Sequence, residues 1–231
     1  MPTQNPLQIS LLAPHEAETY TQIRHRVFTP TINQLLYPLA PASPSTLSAV
    51  TSTIRTAILS NSILYLKCTD TSTIPTTIIA GARWRHIAPK DPTAHQRTWA
   101  EVDAELTVPE PYAESDPALL THFYEMSNAN KREIMGQREY WVLDTLVTLP
   151  EHERRGAGGM LVAWGCERAD ERGVECYVEA SVVGKPLYAR FGFEVVREMK
   201  VEMGRFGRGE DLVLVIMVRP AKGSRTVGSD V

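Results

Sequence analysis

A turn with two arginines and three glycines, Arg154-Arg155-Gly156-Ala157-Gly158-Gly159, separates an apolar run ending at Pro150 from a segment of helical spacing that opens at Ala157. Glycines let a backbone come close to an anion. The first N–H groups of a helix have no internal partner, and the helix dipole adds partial positive charge there. A start of this kind flanked by arginines suits a phosphate or pyrophosphate. A P-loop requires Lys and then Ser or Thr after its last glycine, whereas Met160-Leu161 follow here. A dinucleotide-binding turn requires a third glycine where Leu161 stands. Neither nucleotide class fits.

Other reactive side chains say less. The histidines (His15, His25, His86, His95, His122, His152) have no metal-ligand spacing and read as surface or solvated-loop residues, so no metal is expected. His86, beside Trp84 at a strand end, is the one weighed as a substrate contact. Cys68, Cys166 and Cys176 are odd in number and widely spaced, which points to free thiols in a reducing compartment. A net charge of -3 gives no global footprint for nucleic acid or an anionic membrane. No apolar run approaches the ~20 residues of a membrane span, and Met1–Ser10 does not read as a secretory signal. The cytoplasm is the expected location, with the nucleus left open. Glu101, Asp103, Glu105, Glu110, Glu114 and Asp116 read as a solvated acidic face; the sharper alternative is a rim that steers a cationic amine.

The elements that must position the glycine turn follow from periodicity. Leu7–Leu12 reads as a strand and His15–Phe28 as a helix. Residues 30–53, rich in Pro, Ser and Thr, read as a loop leading into a helix near Leu47–Leu59. Ile63–Cys68 and Thr77–Trp84 form a hairpin by pattern. Residues 88–138 are too long for an ordinary connection and read as a lid or substrate-side insertion, with a helix from Pro117 to about Met135. Trp141–Leu149 then reads as a strand, Ala157–Arg172 as a helix stopped by Gly173, Glu175–Ala180 as a strand and Pro186–Phe191 as a short helix. Phe193–Val196 and Asp211–Val218 close the sheet. This order implies an α/β fold with a mixed sheet. The polar tail, 221–231, reads as disordered.

Two motifs carry a resemblance. Glu153-Arg-Arg-Gly-Ala-Gly158 resembles the cofactor motif of the GCN5-related N-acetyltransferase superfamily, Gln/Arg-x-x-Gly-x-Gly/Ala after a strand, with Glu153 departing at the first position. Tyr177-Val-Glu-Ala-Ser-Val-Val-Gly-Lys-Pro-Leu-Tyr-Ala-Arg-Phe-Gly-Phe193 resembles its last motif, with Ser181 for the usual Asn and Gly184 for the usual Ala. The Glu-Ala-Ser and Gly-x-Pro-Leu-Tyr wording is similar to small fungal acetyltransferases. The motif region spans 140–196; residues 1–139 agree only in element order.

The resemblance implies a single acetyltransferase domain over 1–220, with a mostly antiparallel mixed sheet flanked by helices on both faces. It implies acetyl-CoA as donor, with Leu146, Val147 and Thr148 pairing along the pantetheine arm. Arg154, Arg155, Gly156, Ala157, Gly158, Gly159 and Met160 would hold the pyrophosphate, and Ser181 would also contact the cofactor. A backbone N–H near Leu146 would serve as oxyanion hole. Tyr188 sits at the position that protonates the departing thiolate. For the base, Asp144 lies two residues before Leu146, hence on the same strand face, with a pKa raised by burial; Glu179 is the rival and a water relay the third route. The expected reaction is direct attack by a small-molecule primary amine in a ternary complex. A lysine of a protein or peptide is the alternative acceptor, and a non-catalytic acyl-CoA-binding module is the alternative of another class. Oligomeric state is left open.

Overall fold

The computed structural model describes residues 6–223. One seven-stranded sheet organises them, in the order β1-β2-β3-β4-β5-β7-β6. Its strands are β1 (Leu7–Leu11), β2 (Leu64–Asp70), β3 (Thr77–Ile87), β4 (Tyr140–Thr148), β5 (Glu175–Ser181), β6 (Glu194–Val201) and β7 (Leu212–Arg219). Every neighbouring pair is antiparallel except β4 and β5. A parallel pair needs a crossover, and the helix opened by the glycine turn supplies it. The last part of the polar tail, 224–231, lies outside the described residues.

The helices are α1 (Ala17–Phe28), α2 (Asn33–Leu36), α3 (Pro44–Leu59), α4 (Trp99–Glu105), α5 (Pro117–Met135), α6 (Ala157–Arg172) and α7 (Lys185–Ala189). α5 and α6 match the sequence expectation residue for residue. Two differences have local causes. α3 begins earlier than expected, because the Ser43 hydroxyl caps the Thr46 N–H at 3.3 Å and Pro44 suits a first helical turn. α4 falls where no helix was expected. Thr98 and Glu101 close a reciprocal capping box around its start, which offsets the proline-rich surroundings.

The two sheet faces carry different layers. On one, Ala82, Trp84, Leu143 and Val178 pack with Leu161, Val162 and Cys166 of α6. On the other, Val142, Tyr177 and Ile216 pack with Leu119, Leu120 and Phe123 of α5, while Tyr20 of α1 and Val50 and Ile54 of α3 pack beside Tyr65 of β2. α6 lies unusually close to β3. A methyl group on Gly165 would sit 2.3 Å from the Trp84 ring, and the Trp84 indole N–H donates to the Leu161 carbonyl at 3.1 Å. Only glycine allows that approach.

A β-bulge interrupts the β3–β4 ladder. Arg83 faces Thr145 and Trp84 faces Leu143, so Asp144 is the extra residue. An extra residue breaks the alternation of side chains. Leu146 therefore packs with the α6 cluster, whereas Asp144 bonds Arg85 on the opposite face. The expectation that Asp144 and Leu146 share a face is thus corrected.

Candidate functional site

β4 and β5 pair from Tyr140↔Glu175 to Leu143↔Val178 and then part. Beyond that point β4 stays paired to β3 through Thr148, and β5 stays paired to β7 through Ser181. The separation opens at the bulge, which increases local twist. The result is a wedge between residues 144–148 and 179–181, bordered by strand edges whose backbone groups have no ladder partner across it.

The start of α6 faces this wedge. Gly156 caps the helix with φ +98°, a region that side chains disfavour, and Arg154 just before it has φ +58°. A methyl group on Gly158 would meet Leu187 of α7 at 3.5 Å and the Thr148 hydroxyl at 3.7 Å, and one on Gly159 would meet Phe191 at 3.6 Å. Residues 157–159 thus lie between the end of β4 and α7, with first-turn amides that no intrahelical acceptor can satisfy. Met160 is already inside the helix, its N–H bonded to the Gly156 carbonyl at 3.0 Å.

The two arginines of the turn differ. Arg155 donates to Asp70 at 2.6 Å and contacts the His152 ring at 2.8 Å. Hydrogen bonds from Ser72 and Arg155 pull the Asp70 pKa down to about 2. Asp70 ends β2, so this ion pair ties the glycine turn to the sheet. Arg154 is exposed, and its side chain is the free cation of the turn among the described residues.

Tyr188 on α7 is buried, with its ring edge-on to Phe193 at 5.8 Å, and burial raises its pKa. The Ser181 hydroxyl accepts the Gly184 N–H at 3.1 Å, turning β5 into α7. Val147 points away from α6 and packs with Ile23 and Leu149, leaving only its backbone to face the wedge.

The two carboxylates expected as bases stand differently. Asp144 is gripped by Arg85, Nε to Oδ2 at 2.6 Å and Nη2 to Oδ1 at 3.0 Å, and Arg83 Nε lies 3.5 Å away. Burial alone would raise its pKa, but the Arg85 and Arg83 charges outweigh that and hold it below the ordinary value. The expected upward shift is therefore corrected: the neighbouring cations, invisible in the strand's own sequence, decide the sign. Glu179, in the part of β5 that has left β4 but stays paired to β7, receives Ser127 Oγ at 2.7 Å, Tyr177 OH at 3.0 Å and Lys131 Nζ at 3.3 Å, all on Oε1. Its Oε2 takes none of these.

Beside the wedge, on the sheet face opposite α6, lies a cavity of about 230 Å³. Thr145 and Arg83 form its sheet side, α1 and α3 contribute residues including Tyr20, Arg24 and Val50, and residues 109–124 contribute Tyr112 and Tyr124. A more open hollow of about 310 Å³ lies near Trp99 and Gly136, at the opposite end of β4 from the glycine turn, and has no part in this constellation. Sequence reasoning missed Arg83 and Arg85, although two charged residues flanking Trp84 in an apolar strand were a readable signal. It had no means to find Asp70 or Arg24, which only tertiary packing brings in.

Other expectations resolve into structure. His86 stacks on Trp141 and bonds Glu139 at 2.7 Å, away from the cavity. Of the acidic residues, Glu101 caps α4, Asp103 pairs Arg132, Glu105 bridges Arg85 and Arg97, Glu114 binds Ser43 and Thr46, and Asp116 caps α5. Glu110 alone of the six lines the cavity. All three cysteines are buried free thiols, and no group of residues suited to a metal occurs among the described residues. No described helix is long and apolar enough to cross a membrane.

Known proteins resemble this arrangement. The acetyltransferase (GNAT) family model matches residues 96–193. Over 60 residues the chain is 37% identical to a fungal protein called acetyltransferase from Stachybotrys chartarum, a stretch that spans 26% of each chain. The chain thus matches only about a quarter of that relative's length. Among solved structures, a mosquito arylalkylamine N-acetyltransferase like 5b superposes with a TM-score of 0.62 at 15% identity, over 92% of this chain and 99% of that one. The phosphinothricin acetyltransferase of Sinorhizobium meliloti, solved with acetyl-CoA, gives 0.53 at 14% identity, over 95% and 92%. At such identities these structures report on the fold.

Proposed function

We propose that this chain is a GNAT acyltransferase that moves acetyl from acetyl-CoA to a primary amine of a small molecule, by direct attack in a ternary complex. The observation that carries the proposal is the parting of β4 from β5 after Leu143 and Val178, beside a glycine-capped helix start. An unpaired strand edge can take up an extended amide-bearing arm, and free first-turn amides can take up a pyrophosphate. The residues present therefore fit acetyl-CoA, which supplies the acetyl group as a reactive thioester. Leu146, Val147 and Thr148 hold it through their backbone; residues 156–159 and Arg154 bind its phosphates. Arg155 acts indirectly, by anchoring the turn to Asp70. Residues 6–223 work as one unit, with 109–124 closing the acceptor cavity.

Tyr188 keeps its proton at neutral pH because burial raises its pKa, so its hydroxyl donates to the departing sulfur. Backbone N–H groups in the wedge near Leu146 stabilise the oxyanion. Asp144, already clamped by Arg85, positions the bulge and does not take the amine's proton. Glu179, with Oε2 uncommitted, is the better base, directly or through water. Buried free thiols support a reducing location, the cytoplasm.

The test is release of free thiol from acetyl-CoA across a panel of amines. Tyr188→Phe is expected to lower kcat by roughly a hundredfold or more while leaving CoA affinity within about threefold. Tight CoA binding without turnover on any amine would leave a binding module instead.

A further inference from the structure

The cavity beside the wedge contains more positive charge than its own carboxylates use. Arg83 donates no hydrogen bond among the described residues, and its Nε is buried without a partner; the buried Tyr20 hydroxyl is likewise unpartnered. The carboxylate nearest Arg83 is Asp144, at 3.5 Å, but both Asp144 oxygens are taken by the Arg85 fork. Arg24 enters from α1, stacked over Phe28 at 5.6 Å, and lines the same cavity. Both charges reach the hydroxyls of Tyr20, Tyr65 and Tyr124, whose pKa values burial raises and these two arginines draw back down. The single lining carboxylate among the described residues, Glu110, is exposed and forms no ion pair with either arginine.

The rest of the lining is largely aromatic and aliphatic, with Leu36, Val50, Ile54 and Leu120 beside the tyrosines. Five tyrosines, Tyr20, Tyr37, Tyr65, Tyr112 and Tyr124, surround the space. Its volume, about 230 Å³, lies below the ~300–1,000 Å³ of drug-sized pockets, which suits one small molecule rather than a protein segment. A buried guanidinium N–H without an acceptor is costly, and two half-buried guanidinium groups on one cavity suit an anion, best a planar carboxylate. Arg83 and Thr145 are cross-strand neighbours, and Thr145 belongs to the stretch of β4 that borders the wedge. A ligand whose carboxylate meets Arg83 and whose amine reaches the wedge must carry the two groups close together.

We propose that the acceptor is an α-amino acid with a flat apolar side chain: Arg83 and Arg24 bind its carboxylate, the tyrosines enclose its side chain, and its α-amine faces the wedge. This rests on the acetyl-transfer reading and adds the acceptor class to it. The acetyl carbon–sulfur bond breaks as the amide bond forms, CoA leaves as the thiol, and one proton of the attacking amine passes to the base.

The experiment pairs each amino acid with its decarboxylated counterpart: phenylalanine with phenethylamine, tyrosine with tyramine, tryptophan with tryptamine. Thiol release is measured with acetyl-CoA, and binding to the CoA-loaded protein by calorimetry. Wild type should favour the acid in kcat/KM by roughly 30-fold or more, and Arg83→Gln should bring that ratio near one. Arg83→Lys, which keeps the charge, should restore part of it. A preference for the decarboxylated amines, a ratio unchanged by Arg83→Gln, or binding of neither member of a pair would overturn the proposal. Binding of the acids without any acetylation would sink the transfer reading and the acceptor role with it, whereas acetylation with no preference for the acids would sink the acceptor class alone.

Discussion

Replacing Gly165 with alanine tests how α6 is seated. Its new methyl would lie 2.3 Å from Trp84 Cε2 and Cζ2 and 2.6 Å from Cδ2. Carbon atoms prefer roughly 3.5–4.0 Å, so helix and ring must separate by more than ~1 Å. Overpacking of this kind costs about 1–3 kcal/mol. The separation also strains the bond from Trp84 Nε1 to the Leu161 carbonyl, worth about 0.5–1.5 kcal/mol. Against this, alanine gains about 1 kcal/mol in helix propensity. The net is a loss of about 2 kcal/mol. Because α6 carries the glycine turn, its displacement should also weaken CoA binding. Urea unfolding reads the first effect and calorimetry the second. The decisive comparison is Gly165→Ala in a Trp84→Leu background, where the clash is gone and alanine should be neutral or stabilising. A midpoint equal to or above wild type for Gly165→Ala alone would refute the close-packing argument.

Three further substitutions probe the charged groups around the wedge. Asp144→Asn removes the charge that the Arg85 fork grips and leaves Arg85 paired with Glu105 alone, so urea unfolding should show a loss of about 1.5–3 kcal/mol. Glu179→Gln should instead lower kcat in the thiol-release assay; a stability loss from Asp144→Asn smaller than that from Glu179→Gln would contradict these assignments. Asp70 has a folded pKa of about 2, below the ~3.9 of an unfolded aspartate. Its contribution is therefore complete above pH ~4 and lost as pH falls toward 2. Asp70→Asn should flatten the loss of stability over that window, measured by thermal unfolding, and should raise the Kd for CoA at pH 7 by releasing Arg155.

What the sequence determined by itself is local in origin. The glycine turn, the strand before it and α6 after it follow from apolar periodicity and from residues whose backbone preferences are intrinsic, such as Gly156 at φ +98° and Gly173 past the helix end. α5 was legible for the same reason, bounded by Asp116, Pro117 and Gly136. Capping signals for α3 and α4 were also present, in Ser43-Pro44 and Thr98…Glu101, but their surroundings of Pro, Ser and Thr obscured them. Tertiary structure alone decided the rest. The bulge at Asp144 depends on β3 beside it, and it reversed which way that carboxylate points. The sign of its pKa shift came from Arg83 and Arg85, some sixty positions earlier in the chain and adjacent only across the sheet. Long-range charge pairs and side chains converging on a cavity leave no periodic trace, because they depend on which strands become neighbours. The strand, glycine turn and helix, built from contiguous chain, could be read in advance; the cavity, assembled from α1, α3, β3, β4 and residues 109–124, could not.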